Sequence, residues 1–324
     1  MLRWPKPSDA QRKVLILGAK AAVTVFLLLF IVRMIDTNEL LLVIREIDAG
    51  YVLLGVLAMW VNVALSAYRW QVFLRFFRID AALRTCARIY AEAVTLNLVL
   101  PGSVGGDVFR VYKLGHARGR YWDVLSSVLA DRFCSLLVLI ALCAAALSVN
   151  ATVQPGVQRV VWGLAAAVGL GFVFVYLFPI SRNWMRYWAY RHLARLVYIV
   201  RRLFRGPSRI MAALGLSLAV QVAIFASMYF SLASVSTELA RLDLAILSTT
   251  LATLAAMIPI TLAGFGLREG AVVATLTLFG APSAEAAAVA AVFAACTLGQ
   301  CIPGSVSWAL TAVNRPVDAR ATSR

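Results

Sequence analysis

Long apolar stretches alternate with short polar segments along the whole chain. Six of these stretches are long enough for a membrane crossing, and they cover residues 14–32, 51–74, 123–149, 158–179, 209–235 and 285–312. A helix needs about 20 apolar residues to span about 30 Å of hydrocarbon. The pattern therefore predicts six full crossings, the first of them a retained helix rather than a cleaved signal peptide.

Two further apolar regions are interrupted by proline and glycine. Residues 85–119 break at Pro101-Gly102, and residues 245–280 break within IPITLAGFGLREG, residues 258–270. Each flank has on the order of 12–18 residues, which suits a half-helix better than a relaxed crossing. We expect two re-entrant helical hairpins. If these regions instead span the membrane, the number of transmembrane helices becomes eight.

The amino-acid composition indicates which environment surrounds the folded chain. The chain of 324 residues is 62% hydrophobic and 14% charged, with a mean hydropathy of +0.83. Soluble domains are about 45–50% apolar and about 25% charged. The sequence thus predicts an all-α polytopic membrane protein. Its net charge of +16 fits cytosolic loops on anionic phospholipid headgroups, and no segment has the context of a nucleic-acid module.

The charges of the connecting segments predict the orientation. Residues 75–88, 110–120 and the tail are basic, and residues 181–209 carry eight arginines and no acid. Residues 36–48 and 236–243 hold most of the acids found in loops. Because cytosolic loops are enriched in arginine and lysine, both termini are expected in the cytosol, with the protein in the cytoplasmic (inner) membrane.

The two interrupted regions resemble each other. LPGSVGGDVFR (100–110) aligns with IPITLAGFGLR (258–268) at a spacing of 158, which matches Pro101 with Pro259, Ser103 with Thr261 and Arg110 with Arg268. Opposite orientations predict an inverted-topology repeat. Residues 51–149 and 209–313 form the repeats of a single transmembrane domain. Residues 1–50 precede them, a connecting helix and basic interfacial segment (150–208) lies between them, and a cytosolic tail (314–324) follows.

Broken helices in hydrocarbon need protein or a wet cavity to satisfy their backbone. Glycines allow close approach, restarted helices offer N–H groups to an anion, and arginine adds a bidentate fork for phosphate or carboxylate. Asp131-Arg132 is either part of this site or a structural ion pair. The candidate substrate-binding residues are Asn97, Ser103, Gly105, Gly106, Asp107, Arg110, Asp131, Arg132, Thr261, Gly264, Gly266, Arg268 and Glu269.

Catalytic signatures are missing from the sequence. Five cysteines form no CxxC pair, two histidines lie among basic residues, and no nucleotide-binding loop, HExxH or GxSxG occurs. We expect no cofactor, no metal and no enzymatic activity.

The segments NLVLPGSVGGDVFRVYKL (97–114), the pair Asp131-Arg132, and PITLAGFGLREGA (259–271) resemble the transmembrane domain of the lysylphosphatidylglycerol synthase family. In the full synthases a domain of this kind carries aminoacylated phosphatidylglycerol across the bilayer, and a separate soluble domain makes that lipid. No soluble domain is expected here. The resemblance therefore implies lipid translocation and not the synthase reaction.

The leading hypothesis is a flippase for a lipid with an anionic or zwitterionic headgroup. One alternative is a membrane-embedded transferase that uses Asp107, Asp131 or Glu269 as acid or base. Another is an accessory subunit in lipid or glycolipid biosynthesis, for example of the hopanoid type. The expected partners are membrane lipids, with lipid-biosynthesis enzymes or further copies of the chain as additional candidates.

Overall fold

A computed structural model describes residues 37–99, 105–149, 207–256, 260–261 and 264–313, together with isolated positions between 159 and 201. All regular structure in these residues is helical. The crossings predicted at 14–32 and 158–179, the basic segment 181–209 and the tail lie wholly or largely outside them.

Ten helices have defined bounds within the described residues. In chain order, α1 to α10 are Thr37–Arg45, Ala49–Phe76, Leu83–Val99, Gly105–Arg118, Tyr121–Val149, Pro207–Val235, Leu242–Ala256, Leu267–Leu278, Ser283–Gly299 and Ile302–Val313.

Four stretches of the described chain are helical, long and apolar enough to cross a membrane: Ala49–Phe76, Tyr121–Ser148, Met211–Val235 and Ser283–Thr311. The first three coincide with the predicted crossings at 51–74, 123–149 and 209–235, which are confirmed as apolar helices. The fourth covers the apolar stretch predicted at 285–312. The total number of crossings stays a prediction.

The two predicted interruptions are also confirmed. The non-helical residues 260–261 and 264–266 lie between α7 and α8. A hydrogen bond from the backbone N of Gly106 to Asn97 Oδ1, nine residues earlier, requires the chain to turn back between α3 and α4. The flanking helices have 17 and 14 residues in the first region and 15 and 12 in the second. These lengths are those expected of half-helices.

A third interruption was not predicted. The stretch 285–312 was expected to be one helix, but a turn at Gln300–Cys301 separates α9 from α10. Pro303 has no N–H to offer the carbonyl of Gly299, four residues earlier. That carbonyl accepts a 2.9 Å hydrogen bond from the indole Nε1 of Trp60 instead. A side chain from α2 thus satisfies the backbone group that the proline frees.

The centre of the fold is the pair α2 and α6, which have the most extensive contact of any two helices in the described part. They run antiparallel: the backbone N of Asp48 donates to Ser234 O at 3.0 Å, and Asn62 Nδ2 donates to Val220 O at 3.1 Å. Further along, Arg69 Nη1 donates to Ser217 Oγ at 3.3 Å.

Two apolar cores lie at opposite ends of this pair. The first joins α2, α3, α4 and α5 around Trp70, Phe73 and Leu114. The second joins α2, α6, α7, α8 and α9 around Met228 and Phe293. Each interrupted region therefore packs into its own core.

The helices after α1 form two halves with the same packing partners. Exchanging α2 with α6, α3 with α7, α4 with α8 and α5 with α9–α10 leaves the set of contacting pairs among them unchanged. Adding 158 to the bounds of α2 gives 207–234, against Pro207–Val235 for α6. The same shift takes α3 to 241–257, against Leu242–Ala256 for α7.

Helix α10 approaches α3 closely at Gly304, and this contact gives a test of the packing. A Cβ at Gly304 would overlap the carbonyl of Ala91 and the hydroxyl of Thr95, whereas a Cβ at Gly215 in α6 would meet nothing within 4 Å. We predict that Gly304→Ala lowers stability by about 1–3 kcal/mol through overpacking. Gly215→Ala should be neutral or stabilise by up to about 1 kcal/mol, because alanine favours a helix. Thermal unfolding in detergent measures both, and equal midpoints for the two variants would contradict the packing.

A cationic cavity between the two halves

A cavity of about 530 Å³ lies between the two halves of the helical bundle. Its wall is contributed by α2, α3, α5, α6, α7, α8 and α9, together with the turns beside α8 and α9. The polar part of the wall consists of Asn62, Ser66, Arg69, Tyr90, Asn97, Arg132, Ser135, Gln221, Thr253, Arg268, Thr297 and Gln300. Leucine, phenylalanine, valine, isoleucine and alanine side chains form the rest, so the wall is amphipathic.

The charges on this wall have one sign. Arg69, Arg132 and Arg268 line the cavity, and no aspartate or glutamate does so among the described residues. Arg69 comes from α2 and Arg132 from α5, while Arg268 comes from α8 in the other half. An anion in the cavity would therefore meet cations from both halves.

A buried ion-pair network stands behind Arg69 and Arg132. Asp131, whose side chain is 1% exposed, lies 2.7 Å from Arg69 Nε and 3.3 Å from Arg110 Nη1. The 2.7 Å approach is an ion pair without the alignment of a hydrogen bond. Asp107 pairs with Arg110 and accepts from Arg132 Nε at 2.7 Å. The two aspartates thus hold three arginines in one cluster.

Arg110 is the central member of this cluster and does not line the cavity. Its guanidinium carbon lies 5.1 Å from the ring centre of Trp70 and 4.7 Å from that of Tyr90. With both aspartates engaged as well, its side chain is 2% exposed. Arg110 was expected to meet a ligand together with Arg268, but the structure buries Arg110 and brings Arg132 to the wall instead.

On the second half, Glu269 orients Arg268. The Nε and Nη2 atoms of Arg268 donate to Glu269 Oε1 at 2.9 and 2.8 Å. The other carboxylate oxygen accepts from the backbone N of Gly266 at 2.6 Å. Gly264 and Gly266 have φ values of 81° and 85°, which glycine adopts most easily. The turn before α8 therefore depends on these glycines and places Arg268 beside Phe265 on the wall.

The restarted helices do not present bare N–H groups at these positions. The backbone N of Gly106 donates to Asn97 Oδ1 at 2.6 Å, and that of Gly266 is held by Glu269. The sequence had suggested that such groups would bind an anion. In the structure, side chains already satisfy both donors, and the cationic character of the cavity comes from arginine.

The remaining predicted site residues are dispersed around the hairpins. Asn97 lines the cavity at the end of α3, Gly105 begins α4, and a Cβ on Gly106 would overlap the carbonyl of Ala93. Thr261 is fully buried, and its hydroxyl has no hydrogen-bond partner among the described residues. Ser103 lies outside the described residues.

Several wall residues were missed by the sequence analysis. Asn62, Ser66 and Arg69 share one face of α2, at a spacing of four and three residues. Polar residues at that spacing inside an apolar helix were the available signal. Arg69 was not among the candidate residues. Gln300, at the unexpected turn, also lines the cavity and was not among them.

Glu92 forms a separate buried contact outside the cavity. It is fully buried, pairs with Lys113 on α4, and accepts a 3.0 Å hydrogen bond from Ser307 on α10. This contact ties α3 to both neighbouring helices. In the described part of the chain, no group of three or more histidine, cysteine or acidic residues could hold a metal ion.

These features define a multi-pass helical membrane protein with a cationic internal cavity. The family described as lysylphosphatidylglycerol synthase TM region matches residues 16–304, and the chain belongs to this family. The resemblance of the broken-helix segments is thereby confirmed.

A curated relative agrees with this assignment. The chain is 25% identical over 165 residues to UPF0104 membrane protein PH1989 of Pyrococcus horikoshii. The match covers 50% of this chain and 48% of the relative, so the chain spans about half the length of that protein.

The ion-pair network predicts unequal effects for two aspartates on α5. Asp131→Asn leaves Arg69 and Arg110 buried with a weaker partner, and we expect a loss of about 3–5 kcal/mol of stability. Asp123→Asn removes an exposed pair with Arg120, in which both side chains are at least 40% exposed, and should cost about 0–1 kcal/mol. Thermal unfolding and yield of folded protein check both variants. An Asp131→Asn protein as stable as Asp123→Asn would mean that the network does not stabilise the fold.

Proposed function

We propose that the protein is a flippase that moves a lipid with a polar headgroup across the cytoplasmic membrane. The observation that carries the proposal is the cationic cavity, lined by helices from both halves of a membrane protein. Its three arginines are paired with carboxylates, but none of these carboxylates lines the cavity, so a ligand there would meet cationic groups only. A lipid headgroup provides that ligand while its acyl tails remain in the bilayer.

The size and wall of the cavity support this proposal. About 530 Å³ falls within the range of about 300–1,000 Å³ usual for small-molecule sites. Arginine forks bind phosphate oxygens in a bidentate way. Leu129 and Leu136 extend the wall along α5 with apolar surface, and Leu129 is exposed. The arginines would therefore contact the phosphate of the headgroup, and the apolar surface would contact the adjoining glycerol.

We further propose that the two halves are an inverted repeat, which supplies the mechanism. The shared packing pattern and the shift of 158 support equivalence of the halves, and the antiparallel α2 and α6 support opposite orientations. Asn62 and Val220 are 158 residues apart and hydrogen-bonded to each other, as equivalent positions on a two-fold axis would be. Both line the cavity, so the cavity lies where transporters built from repeats bind their substrate. Rocking of one half against the other would expose it to each side in turn.

The transferase alternative has less support. Asp107, Asp131 and Glu269 are each engaged by arginine, and none of them lines the cavity. None is therefore placed to act on a bound substrate as an acid or base.

Reconstitution separates the remaining functions. Proteoliposomes containing a lipid with a reducible fluorescent headgroup report transbilayer movement, and mass spectrometry of the same lipid reports chemical change. Movement without change in mass supports a flippase. A changed mass would support the transferase. If the lipid neither moves nor changes in mass, an accessory role in lipid biosynthesis is favoured.

Arg268 gives the most direct test of the flippase. Arg268→Lys keeps the charge but loses the planar fork, so transport should fall substantially, and Arg268→Ala should abolish it. Glu269 keeps its hydrogen bond from the backbone N of Gly266, but Arg268→Ala leaves this buried carboxylate without its cation. Folded yield and thermal unfolding are therefore measured beside transport. Arg120→Ala removes an arginine outside the cavity and is the matched control. Full transport by Arg268→Ala would limit Arg268 to a structural partner of Glu269.

The proposal also fixes an orientation, with both termini in the cytosol. Its basis is the excess of arginine and lysine in alternate connecting segments. Exposed Glu238 and Arg118 lie on opposite predicted sides, and the native cysteines of the described residues are buried, which keeps background labelling low. With an impermeant thiol reagent, Glu238→Cys should react in intact cells and Arg118→Cys only after permeabilisation. The reverse pattern would invert the topology.

A further inference from the structure

We infer that the cavity selects a lipid headgroup with one net negative charge, a single phosphodiester whose remaining groups are uncharged. This inference rests on the proposed flippase function and names its substrate class. It starts from a count of charge inside the bundle. The network behind the cavity holds three arginines, Arg69, Arg110 and Arg132, and two aspartates, Asp107 and Asp131, which leaves a formal surplus of one positive charge.

The second half adds no further charge to this sum, because Arg268 is matched by Glu269. The pair of Glu92 and Lys113, which lies outside the cavity, is also neutral. Among the described residues around the cavity, the surplus therefore remains one. A ligand with one negative charge neutralises it.

Four internal segments outside the described residues contain no carboxylate side chain. The segments 100–104, 150–206, 257–259 and 262–263 contain no aspartate or glutamate. The acids outside the described residues are Asp9, Asp36 and Asp318, towards the two ends of the chain. A cationic amine in the cavity would thus face arginines and would find no acidic side chain on the described wall to pair with.

The neutral part of the wall fits an uncharged, hydroxyl-bearing headgroup. Asn62, Gln221 and Gln300 offer amides, and Thr253 and Thr297 offer hydroxyls. Asn62 and Gln221 each donate an amide N–H to a backbone carbonyl, and both threonine hydroxyls donate within their own helices. Their oxygens are left to accept hydrogen bonds from polyol hydroxyls. Arginine forks would hold the phosphodiester, and these neutral groups would hold the alcohol esterified to it.

This substrate class differs from the cargo that the family resemblance implies. Lysylphosphatidylglycerol carries two amines and a net charge of about +1 at neutral pH, from two ammonium groups and one phosphodiester. Like charges brought together without solvent are strongly unfavourable. The cavity should therefore reject the aminoacylated lipid and accept its unmodified anionic parent, phosphatidylglycerol, or a lipid of the same charge.

Competition binding tests this selectivity on the purified full-length chain in phosphatidylcholine nanodiscs. Radiolabelled phosphatidylglycerol is the bound probe, and the competitors are phosphatidylglycerol, phosphatidylethanolamine and lysylphosphatidylglycerol, with net charges of about −1, 0 and +1. We expect that order of affinity, with at least a ~10-fold difference between the first and the last. Glycerophosphoglycerol, the free headgroup, is a fourth competitor and should bind at least ~10-fold more weakly than the lipid, because it lacks the apolar contacts.

A matched pair of variants links the selectivity to the cavity. Arg132→Gln removes the surplus charge, and Asp107 keeps Arg110 as a partner. Its preference for phosphatidylglycerol over phosphatidylethanolamine should shrink by about tenfold. Arg241→Gln is the control: it removes an arginine that is 53% exposed, against 48% for Arg132, and also paired with an aspartate, but outside the cavity. Its selectivity should equal that of the unmodified protein.

The outcomes separate this inference from the flippase itself. If lysylphosphatidylglycerol binds as tightly as phosphatidylglycerol and both are moved in proteoliposomes, the charge selectivity is overturned and the flippase stands. If the free headgroup binds as tightly as the lipid, the ligand is a soluble phosphodiester and the lipid class is overturned. If no lipid binds or moves, both proposals fail. The selectivity of the unmodified protein decides these points even where Arg132→Gln does not fold.

Discussion

Charged groups enclosed by apolar helices need partners inside the protein, and the network around Asp107 and Asp131 supplies them. Two carboxylates hold three arginines from α2, α4 and α5, and the rings of Trp70 and Tyr90 cover the central Arg110. An isolated buried charge would cost several kcal/mol. The network removes most of that cost and at the same time fixes the positions of Arg69 and Arg132. The contacts that stabilise this half are therefore the same ones that position the arginines of the cavity wall.

The broken helices obey the same constraint through their backbone. Each interruption frees polar groups that hydrocarbon cannot solvate. Side chains satisfy those that the structure describes: Asn97 binds the N–H of Gly106, Glu269 that of Gly266, and Trp60 the carbonyl of Gly299. These contacts explain how irregular backbone persists beside the cavity. Asn97 and Glu269 therefore have a structural role, because each already binds a backbone N–H group.

The two halves share a backbone plan but differ in their charges. Asp131 and Arg132 lie in α5, whereas α9 and α10 of the other half carry one acid, Glu285, and no arginine or lysine. Only Arg110 has an arginine counterpart, Arg268, and the two have different environments: one is enclosed by aspartates and rings, the other lies at the wall. The cavity is consequently most basic on the side of the first half. The two halves thus share packing partners, while the arginines of the cavity wall come mainly from the first half.

The sequence by itself determined the class of protein, the apolar helices and two of the three interruptions, because length, hydropathy and proline act locally. Of its candidate residues, Arg268, Arg132 and Asn97 line the cavity. It could not decide which arginine of a close pair reaches the cavity. Arg110 and Arg132 are both basic residues near an acid. Only the packing of α4 against α3 and α5, with the Trp70 ring of α2 over the guanidinium, buries the first and leaves the second at the wall. The turn at Gln300–Cys301 was missed for a similar reason. A proline interrupts a membrane helix only where another part of the chain satisfies the freed carbonyl, and here that group is Trp60, 239 residues away in sequence.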